Sequence, residues 1–225
     1  MLVSLNNIVA FRGRYPVISG ISTQISENER VWISGANGAG KTSLLKVIAG
    51  LFSISSGKGE ILGEDIGNYF LIRQKVGFVG HNHMLYGDLN PMENLMFYAK
   101  AIPELKELSK KELTEKIYKV LLDLDFQERL HKMKSSGLSE GQKKKLSIAK
   151  VLLKTPKLIL LDEPHAGLDK TSRSILDNLI FDLTAKSDST VIFTSHEDQL
   201  ALPIASRNIS LKGGAIVKDM KCNVS

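Results

Sequence analysis

Apolar and polar residues alternate along the first thirty positions, as in Ile21-Ser22-Thr23-Gln24-Ile25. A period of two is typical of half-buried strands, so we predict antiparallel β-strands in this segment. Short apolar stretches farther along the chain predict more strands. They are Val31 to Ile33, Glu60 to Leu62, Val76 to Val79, Leu158 to Leu161, Thr190 to Thr194, and a final pair around Gly213 and Gly214. Because the central strands are apolar throughout and alternate with helical segments, they indicate an α/β fold with a mainly parallel sheet covered on both faces.

Helical patterns dominate residues 82–136. Asn90, followed by a proline, opens a predicted helix through Ala101, and Ser109 with Glu112 has the spacing of a capping box. Behind that box an apolar stripe recurs at helical period, formed by Leu113, Ile117, Val120, Leu121 and Leu124. We therefore predict a single domain over residues 1–225, in which an α-helical subdomain (82–136) is inserted between two parts of the core, 1–81 and 137–225.

Composition narrows the class of protein without naming a function. The chain has 225 residues, of which 43% are hydrophobic and 24% charged, values typical of globular domains. Its apolar runs fall far short of the roughly 18 residues of a membrane span, and the N-terminus lacks a secretory signal pattern. The single cysteine, Cys222, cannot form an internal disulfide and favours a reducing compartment. A net charge of +6 suits an anionic partner such as a nucleotide, nucleic acid or lipid headgroups.

A glycine-rich segment lies between the predicted strand Val31 to Ile33 and a predicted helix, Lys41 to Ala49, closed by Gly50. It matches the pattern G-x-x-x-x-G-K-[ST], whose backbone amides curl around a phosphate at the positive end of a helix. Lys41 is expected to reach the β- and γ-phosphates of a nucleotide, and the Thr42 hydroxyl to ligate Mg²⁺. The predicted nucleotide-binding residues of this segment are Gly35, Ala36, Asn37, Gly38, Ala39, Gly40, Lys41, Thr42 and Ser43.

Two carboxylates, Asp162 and Glu163, follow the apolar strand Leu158 to Leu161. An aspartate at the carboxyl end of a strand can hold Mg²⁺, and the residue after it can face a water molecule. We predict that Asp162 belongs to the metal shell and that Glu163 activates the attacking water as general base. Alone, such a pair is equally consistent with an acidic surface, but the phosphate-binding pattern in the same chain favours the catalytic interpretation.

Three further segments, in the same order along the chain, resemble motifs of the ABC ATPase family. Leu138-Ser139-Glu140-Gly141-Gln142 is similar to the LSGGQ signature, Gly167-Leu168-Asp169 to the D-loop, and His196, which follows a predicted strand, to the switch histidine. The resemblance covers nearly the whole chain. It implies the family's fold, a P-loop core with a mainly parallel sheet, an N-terminal antiparallel β subdomain and an inserted α-helical subdomain.

The resemblance also implies a mechanism based on two chains. In the family, the signature residues, here Ser139, Gly141 and Gln142, contact the γ-phosphate of ATP bound to a partner chain. Two ATP molecules with Mg²⁺ are thus trapped at composite sites, and hydrolysis reopens the dimer. His196 is expected to orient the γ-phosphate and the attacking water.

Three positions depart from the family pattern. Arg12 stands where many members stack an aromatic ring on adenine, with Phe11 and Tyr15 as alternatives for that contact. His81 occupies the place of a glutamine that touches Mg²⁺, which makes its imidazole a candidate metal ligand. Glu140 replaces the first of two paired glycines and puts a carboxylate near the partner's nucleotide.

Local segments point to one subfamily. Gly80-His81-Asn82-His83 with Asn90 to Tyr98, and also Val31 to Gly38, resemble the haem-exporter ATPase of bacterial cytochrome c maturation. This resemblance implies haem export for cytochrome c-type biogenesis, with other exporter ATPases as alternatives.

The leading hypothesis from sequence is the ATP-hydrolysing subunit of an ABC transporter, peripheral to the cytoplasmic face of the cell membrane. Its expected partners are ATP, a second copy or a homologous ATPase, and integral membrane permease subunits. The alternative is a soluble ABC ATPase acting on nucleic acid or ribosomes, but we interpret the basic run Lys143 to Lys145 as a solvated helix face and expect no specific nucleic acid. A regulator that does not hydrolyse ATP is disfavoured by Glu163 and His196.

Overall fold

The alternating N-terminal segment forms an antiparallel pair of strands in the computed structural model, which describes residues 1–222. Val3 pairs with Ile25 and Leu5 with Thr23, and the apolar side chains at alternate positions are buried. The antiparallel prediction for this segment is therefore confirmed. The strands of the chain are β1 (Val3–Arg12), β2 (Tyr15–Ile25), β3 (Arg30–Ser34), β4 (Ser56–Ile61), β5 (Glu64–Asp65), β6 (Val76–Val79), β7 (Leu158–Leu161), β8 (Thr190–Thr194), β9 (Arg207–Lys212) and β10 (Ala215–Lys221).

The strands form two sheets. The first is antiparallel with the order β2-β1-β4-β5, and the second has the order β10-β9-β3-β8-β7-β6. In the second sheet β9, β3, β8 and β7 run parallel to one another, which confirms the α/β fold with a mainly parallel sheet. β10 is antiparallel to β9 because the two-glycine turn at Gly213 and Gly214 returns the chain directly, whereas a parallel partner needs a long crossover.

Polar caps set the starts of several helices. Asn90 and Glu93 form a capping box at the first turn of one helix, and Ser109 and Glu112 form another. Both starts agree with the sequence, whereas the helix predicted through Ala101 ends two positions earlier, at Ala99. The helices are α1 (Lys41–Ile48), α2 (Tyr69–Lys75), α3 (Pro91–Ala99), α4 (Lys110–Asp123), α5 (Glu140–Leu152), α6 (Lys170–Lys186) and α7 (Asp198–Ala201).

Contacts divide the chain into two compact units. Unit 1 consists of Met1–Phe78, Lys157–Pro164 and the described part of Ile180–Ser225, and unit 2 of Val79–Pro156 and His165–Leu179. In unit 1, α1 contacts β2 of one sheet and β8 of the other. One apolar core therefore gathers side chains from both sheets and from α1. In unit 2, α3, α4 and α5 pack against one another.

The structure differs from the prediction in the start of β4 and in the extent of unit 2, and tertiary contacts explain both differences. The predicted strand from Glu60 begins already at Ser56, because β4 continues its ladder with β1 through polar and glycine positions. Unit 2 is larger than the predicted insertion at 82–136, since α5 packs on α3 and α4 and joins them. That residues 82–136 form a subdomain inserted into a single domain stays a prediction.

Over residues 1–222, none of the helices has both the length and the apolarity that crossing a bilayer demands.

Candidate functional site

The phosphate-binding pattern forms the turn between β3 and α1 in unit 1. Gly40 caps α1 at a φ of 104°, a left-handed conformation that favours glycine, and a Cβ there would lie 2.7 Å from the carbonyl oxygen of Val17. The Lys41 ammonium group folds back over this turn and donates to the carbonyl oxygens of Gly35 (2.7 Å) and of the following residue (3.2 Å). A cation and the positive end of α1 thus meet at one turn, the arrangement that binds phosphate.

The other predicted binding residues of this turn differ in exposure. Ala36, Asn37 and Gly38 are exposed at its tip, Ala39 is buried beneath it, and Thr42 and Ser43 are half-buried in the first turn of α1. The exposed tip leaves the backbone of the turn accessible to a ligand.

Asp162, which follows β7, is the centre of a buried hydrogen-bond network in unit 1. The residue is 1% exposed, and both oxygens of its carboxylate lie 3.0 Å from the Thr42 hydroxyl oxygen. Thr194, the last residue of β8, donates its hydroxyl to the same carboxylate at 2.9 Å. Parallel pairing of β7 with β8 aligns the carboxyl ends of the two strands, which explains why residues far apart in sequence meet here.

This network has the chemistry of a magnesium site. Thr42 and Asp162 offer a hydroxyl and a carboxylate, the hard oxygen ligands that Mg²⁺ prefers. The hydroxyl already lies within hydrogen-bond distance of both carboxylate oxygens, so the two side chains converge on one point. The residues present therefore fit the Mg²⁺ that the phosphate-binding pattern implies.

Glu163 and His196 lie together at the same edge of the sheet. Oε2 of Glu163 is 3.5 Å from Nδ1 of His196, and His196 is more than half exposed. Glu163 has a φ of 48°, which is costly for a residue with a side chain and is typical of functional sites. Its backbone N–H donates to the Thr194 hydroxyl at 2.8 Å, which holds the unusual conformation in place.

Sequence reasoning missed two residues that position this pair. The Thr194 hydroxyl bridges Asp162 and the Glu163 backbone, and the Trp32 indole N–H donates to the Ser195 carbonyl oxygen at 3.2 Å, next to His196. A signal for Thr194 existed, since a hydroxyl ends the strand that precedes His196. No local pattern connects Trp32 to residue 195.

The candidate adenine contacts lie on the hairpin between β1 and β2. Arg12 is opposite Tyr15 in the ladder, and Phe11 is opposite Pro16. The side chains of Phe11, Arg12 and Tyr15 are all exposed. The structure places all three candidates on one accessible hairpin of unit 1, and Arg12 as the contact stays a prediction.

The signature segment forms the start of α5 in unit 2. Ser139 caps the helix by accepting from the Gln142 N–H, and the Gln142 side chain accepts from the Ser139 N–H in return. A Cβ at Gly141 would lie 2.7 Å from the Gly167 carbonyl oxygen, so only glycine fits where the D-loop passes. These residues line an open cavity of about 310 Å³ together with Lys145. Their contact with a nucleotide remains a prediction.

The carboxylate of Glu140 is tied to its neighbours in unit 2. Lys143 Nζ lies 2.9 Å from one oxygen and His83 Nε2 lies 3.2 Å from the other. The hydrogen bond from Lys143, and then that from His83, lowers the pKa of Glu140 below its ordinary value. Burial lowers the pKa of His83 below its ordinary value, and the hydrogen bond to Glu140 opposes this shift. Because a carboxylate can only accept, the His83 Nε2–H is the donor in this contact.

Two expectations for unit 2 meet different outcomes. His81 is exposed on the turn after β6, and it belongs to unit 2, whereas Thr42 and Asp162 belong to unit 1. Its role as a metal ligand stays a prediction.

The interpretation of Lys143 to Lys145 as a solvated face is wrong for Lys144, which is only 3% exposed. Successive residues of a helix are about 100° apart around its axis, so Lys144 turns toward the inside of unit 2 while Lys143 and Lys145 lie to either side of it.

Comparison with known proteins agrees with the motifs. The family model described as ABC transporter matches residues 18–166, about two thirds of the chain. The sulfate/thiosulfate import ATP-binding protein CysA of Photorhabdus laumondii is 30% identical over 219 residues, covering 96% of this chain and 59% of that protein. The spermidine/putrescine import ATP-binding protein PotA of Thermotoga maritima is 32% identical, covering 96% of this chain and 57% of that protein. The chain thus spans somewhat over half the length of these relatives.

Solved structures share the fold over nearly the full chain. A dimeric ATP-binding cassette in a post-hydrolysis state, bound to ADP and Pi, superposes with a TM-score of 0.91 and 26% identity, covering 98% of each chain. The family model, the order of the motifs and this superposition agree, and the chain belongs to the ABC transporter family of ATP-binding cassettes.

Proposed function

We propose that this chain is the ATP-binding and ATP-hydrolysing subunit of a membrane transporter. The observation that carries the proposal is the single edge of the sheet in unit 1 at which the phosphate-binding turn, Asp162, Glu163 and His196 are placed. The relatives' names describe ATP-binding proteins of import systems, which supports the same activity. We further propose that the position of the subunit is the cytoplasmic face of the membrane, where ATP is available.

The chemistry follows from the residues at this edge. The turn and Lys41 bind the β- and γ-phosphates, while Thr42 and Asp162 would hold Mg²⁺, which neutralises charge on the phosphate oxygens when bound. Glu163 takes a proton from water as the oxygen forms a bond to the γ-phosphorus and the bond to the β-phosphate oxygen breaks, which yields ADP and phosphate. His196, at 3.5 Å from Glu163, keeps the carboxylate and the water in line with the γ-phosphate.

We propose two kinds of protein partner. A second copy, or a homologous subunit, would place its Ser139, Gly141 and Gln142 on the γ-phosphate held by this chain. A solved cassette of the same fold is dimeric, which supports a partner of this kind. Integral membrane subunits would supply the pathway for the transported substrate. Residues 79–86 and α3 carry exposed Met84, Tyr86 and Phe97, an apolar surface suited to such a contact.

Haem export for cytochrome c biogenesis rests on short sequence segments around His81 and Trp32. The relatives are named for the import of sulfate/thiosulfate and of spermidine/putrescine, and these names give haem export no support. Action on nucleic acid has no support from the basic run either, because Lys144 is buried.

The decisive variant is Glu163→Gln. Without a base on this side chain, phosphate release should fall about a hundredfold or more, while ATP binding is kept. Phosphate release and ATP binding are both measured on the purified chain, alone and together with its membrane partners. Glu27→Gln, the same change on an exposed glutamate, should leave the rate unchanged. A normal rate in Glu163→Gln would show that Glu163 is not the base.

A further inference from the structure

Four polar residues form a stripe along one face of α5. Glu140, Lys143, Ser147 and Lys150 are separated by three or four positions, which places them in line on a helix. Three of them contact one residue, His83, which lies on the turn after β6. Glu140 lies 3.2 Å from its Nε2, while the Ser147 hydroxyl (3.1 Å) and the Lys150 ammonium group (2.8 Å) donate to its carbonyl oxygen.

The backbone of His83 is therefore fixed from α5 independently of its ring. Lys150 also donates to the Met84 carbonyl oxygen at 3.0 Å, and its Nζ lies 4.1 Å from the centre of the Tyr98 ring. Lys150 is part-buried in this position. With the main chain held at two consecutive carbonyls, the imidazole is aimed along the α5 face at Glu140.

Glu140 is an unusual residue for its position. It directly follows the Ser139 cap, where the family signature has glycine, and its side chain is largely exposed. An unrestrained carboxylate at this end of α5 could swing over the capped turn and repel a phosphate there. In the structure both of its oxygens are occupied, one by Lys143 and the other by His83.

We propose that His83 is a positioning residue for nucleotide binding: together with Lys143 it holds the Glu140 carboxylate along the α5 face, away from the phosphate that meets the Ser139 turn. The inference rests on the proposed function, because it assumes that this turn meets the γ-phosphate of a partner chain. It adds a role for His83, which is not among the site residues predicted from the sequence, and it explains how the signature accommodates a glutamate.

A double-mutant cycle tests the proposal. His83→Ala removes the ring but keeps the carbonyl that Ser147 and Lys150 hold, so the turn should still fold. We expect the KM for ATP to rise about two- to fivefold, a size usual for one exposed contact to a charged group, with kcat nearly unchanged. In the Glu140→Gly background the same His83→Ala change should leave KM unaltered, because no carboxylate remains to be held. His83→Gln, which keeps an N–H donor, should restore much of the wild-type KM.

Three results would overturn the proposal. They are an equal rise in KM in both backgrounds, no rise in His83→Ala with Glu140 present, or a fall in kcat alone. If His83→Ala does not fold, the cycle is run with Lys143→Ala, which frees the other oxygen. Lys134→Ala, which breaks an exposed ion pair with Asp88 in the same unit, is the control and should change nothing.

The cycle separates this inference from the proposed function. Hydrolysis by the wild-type chain tests the proposed function, whatever the variants do. If the wild type does not hydrolyse ATP, the proposed function fails. In that case each variant of the cycle is made in the Glu163→Gln chain, and the ATP concentration needed for self-association is measured. His83→Ala must then raise this concentration when Glu140 is present and leave it unaltered in the Glu140→Gly background.

Discussion

The N-terminal ends of α1 and α5 have the same helix dipole, but they are capped in different ways. α1 in unit 1 begins at Gly40, in a left-handed conformation, beside the buried network of Asp162 and Thr42. α5 in unit 2 begins at Ser139 with an ordinary side-chain cap, beside the exposed Glu140. Both expose the positive end of a helix dipole.

The difference is one of rigidity. At α1 the backbone has a left-handed conformation that favours glycine, and the nearby Asp162 carboxylate is held by the hydroxyls of Thr42 and Thr194. At α5 the cap is a local exchange of two hydrogen bonds, and the nearby charge is held by surface contacts. Changes at the first site should therefore be much more damaging than changes at the second, and the following predictions test that ranking.

The largest effect is expected for Gly40→Ala. The new Cβ would meet the Val17 carbonyl oxygen at 2.7 Å at a φ of 104°, so the turn must rearrange. We expect about 2–3 kcal/mol of lost stability and loss of ATP binding, measured by urea unfolding and by nucleotide titration. Gly63→Ala also has a positive φ but meets no atom within 4 Å, and it should cost clearly less. Equal losses would show that the close approach to Val17 is unimportant.

The second effect concerns the network behind Glu163. Thr194→Val removes the hydroxyl that bonds Asp162 and the Glu163 N–H, so Glu163 should leave its strained conformation. We expect kcat to fall about tenfold, and stability by about 1–2 kcal/mol. Thr190→Val is the matched control in the same strand, since its hydroxyl donates to the Ser26 carbonyl oxygen at the opposite end of β8 from Thr194. It should lose stability without losing kcat.

The third effect concerns the caps in unit 2. Ser139→Ala removes the side-chain acceptor of the α5 cap and should cost about 1 kcal/mol of stability. Ser109→Ala removes the same kind of cap from α4 and should cost about the same. Only Ser139→Ala should also raise the KM for ATP. If the two variants have identical kinetics, the α5 cap has no role in nucleotide binding.

The smallest effect on ATP hydrolysis is expected from Lys150, whose titration instead makes the stability of the fold depend on pH. Burial lowers the pKa of Lys150 from 10.5 to about 8. Between these values the unfolded chain binds the proton and the folded chain does not, so stability gains from this group as the pH rises from about 8 to 10.5. Below about pH 8 the group is charged in both states and its contribution is constant. Relative to Lys150→Met, the wild type should therefore gain in unfolding midpoint across this window, and parallel curves would contradict the prediction.

Much of the site could be predicted because its signals are local. The phosphate-binding turn, the capping boxes at Asn90 and Ser109, and the strand that ends before Asp162 each depend on residues within a few positions of one another. Their periodicity and capping chemistry act within one turn or one strand, so the sequence alone specifies them.

Long-range contacts could not be predicted in the same way. Thr194 meets Asp162 because β8 lies beside β7, and Trp32 reaches residue 195 across the sheet. The His83 ring meets Glu140 across 57 positions of chain. Any of several strand orders would satisfy the same apolar pattern, so these partners depend on topology.

By itself, the sequence determined the family, the phosphate-binding turn and the two carboxylates, since motif spacing and local hydrogen bonding need no distant partner. Only the tertiary structure decided that Lys144 is buried, that Thr194 holds Glu163 at a φ of 48°, and that Glu140 is restrained by His83 and Lys143. The physical reason is the same in each case. Burial, backbone strain and ion pairing are properties of the neighbours in space, and those neighbours are set by how strands and helices pack.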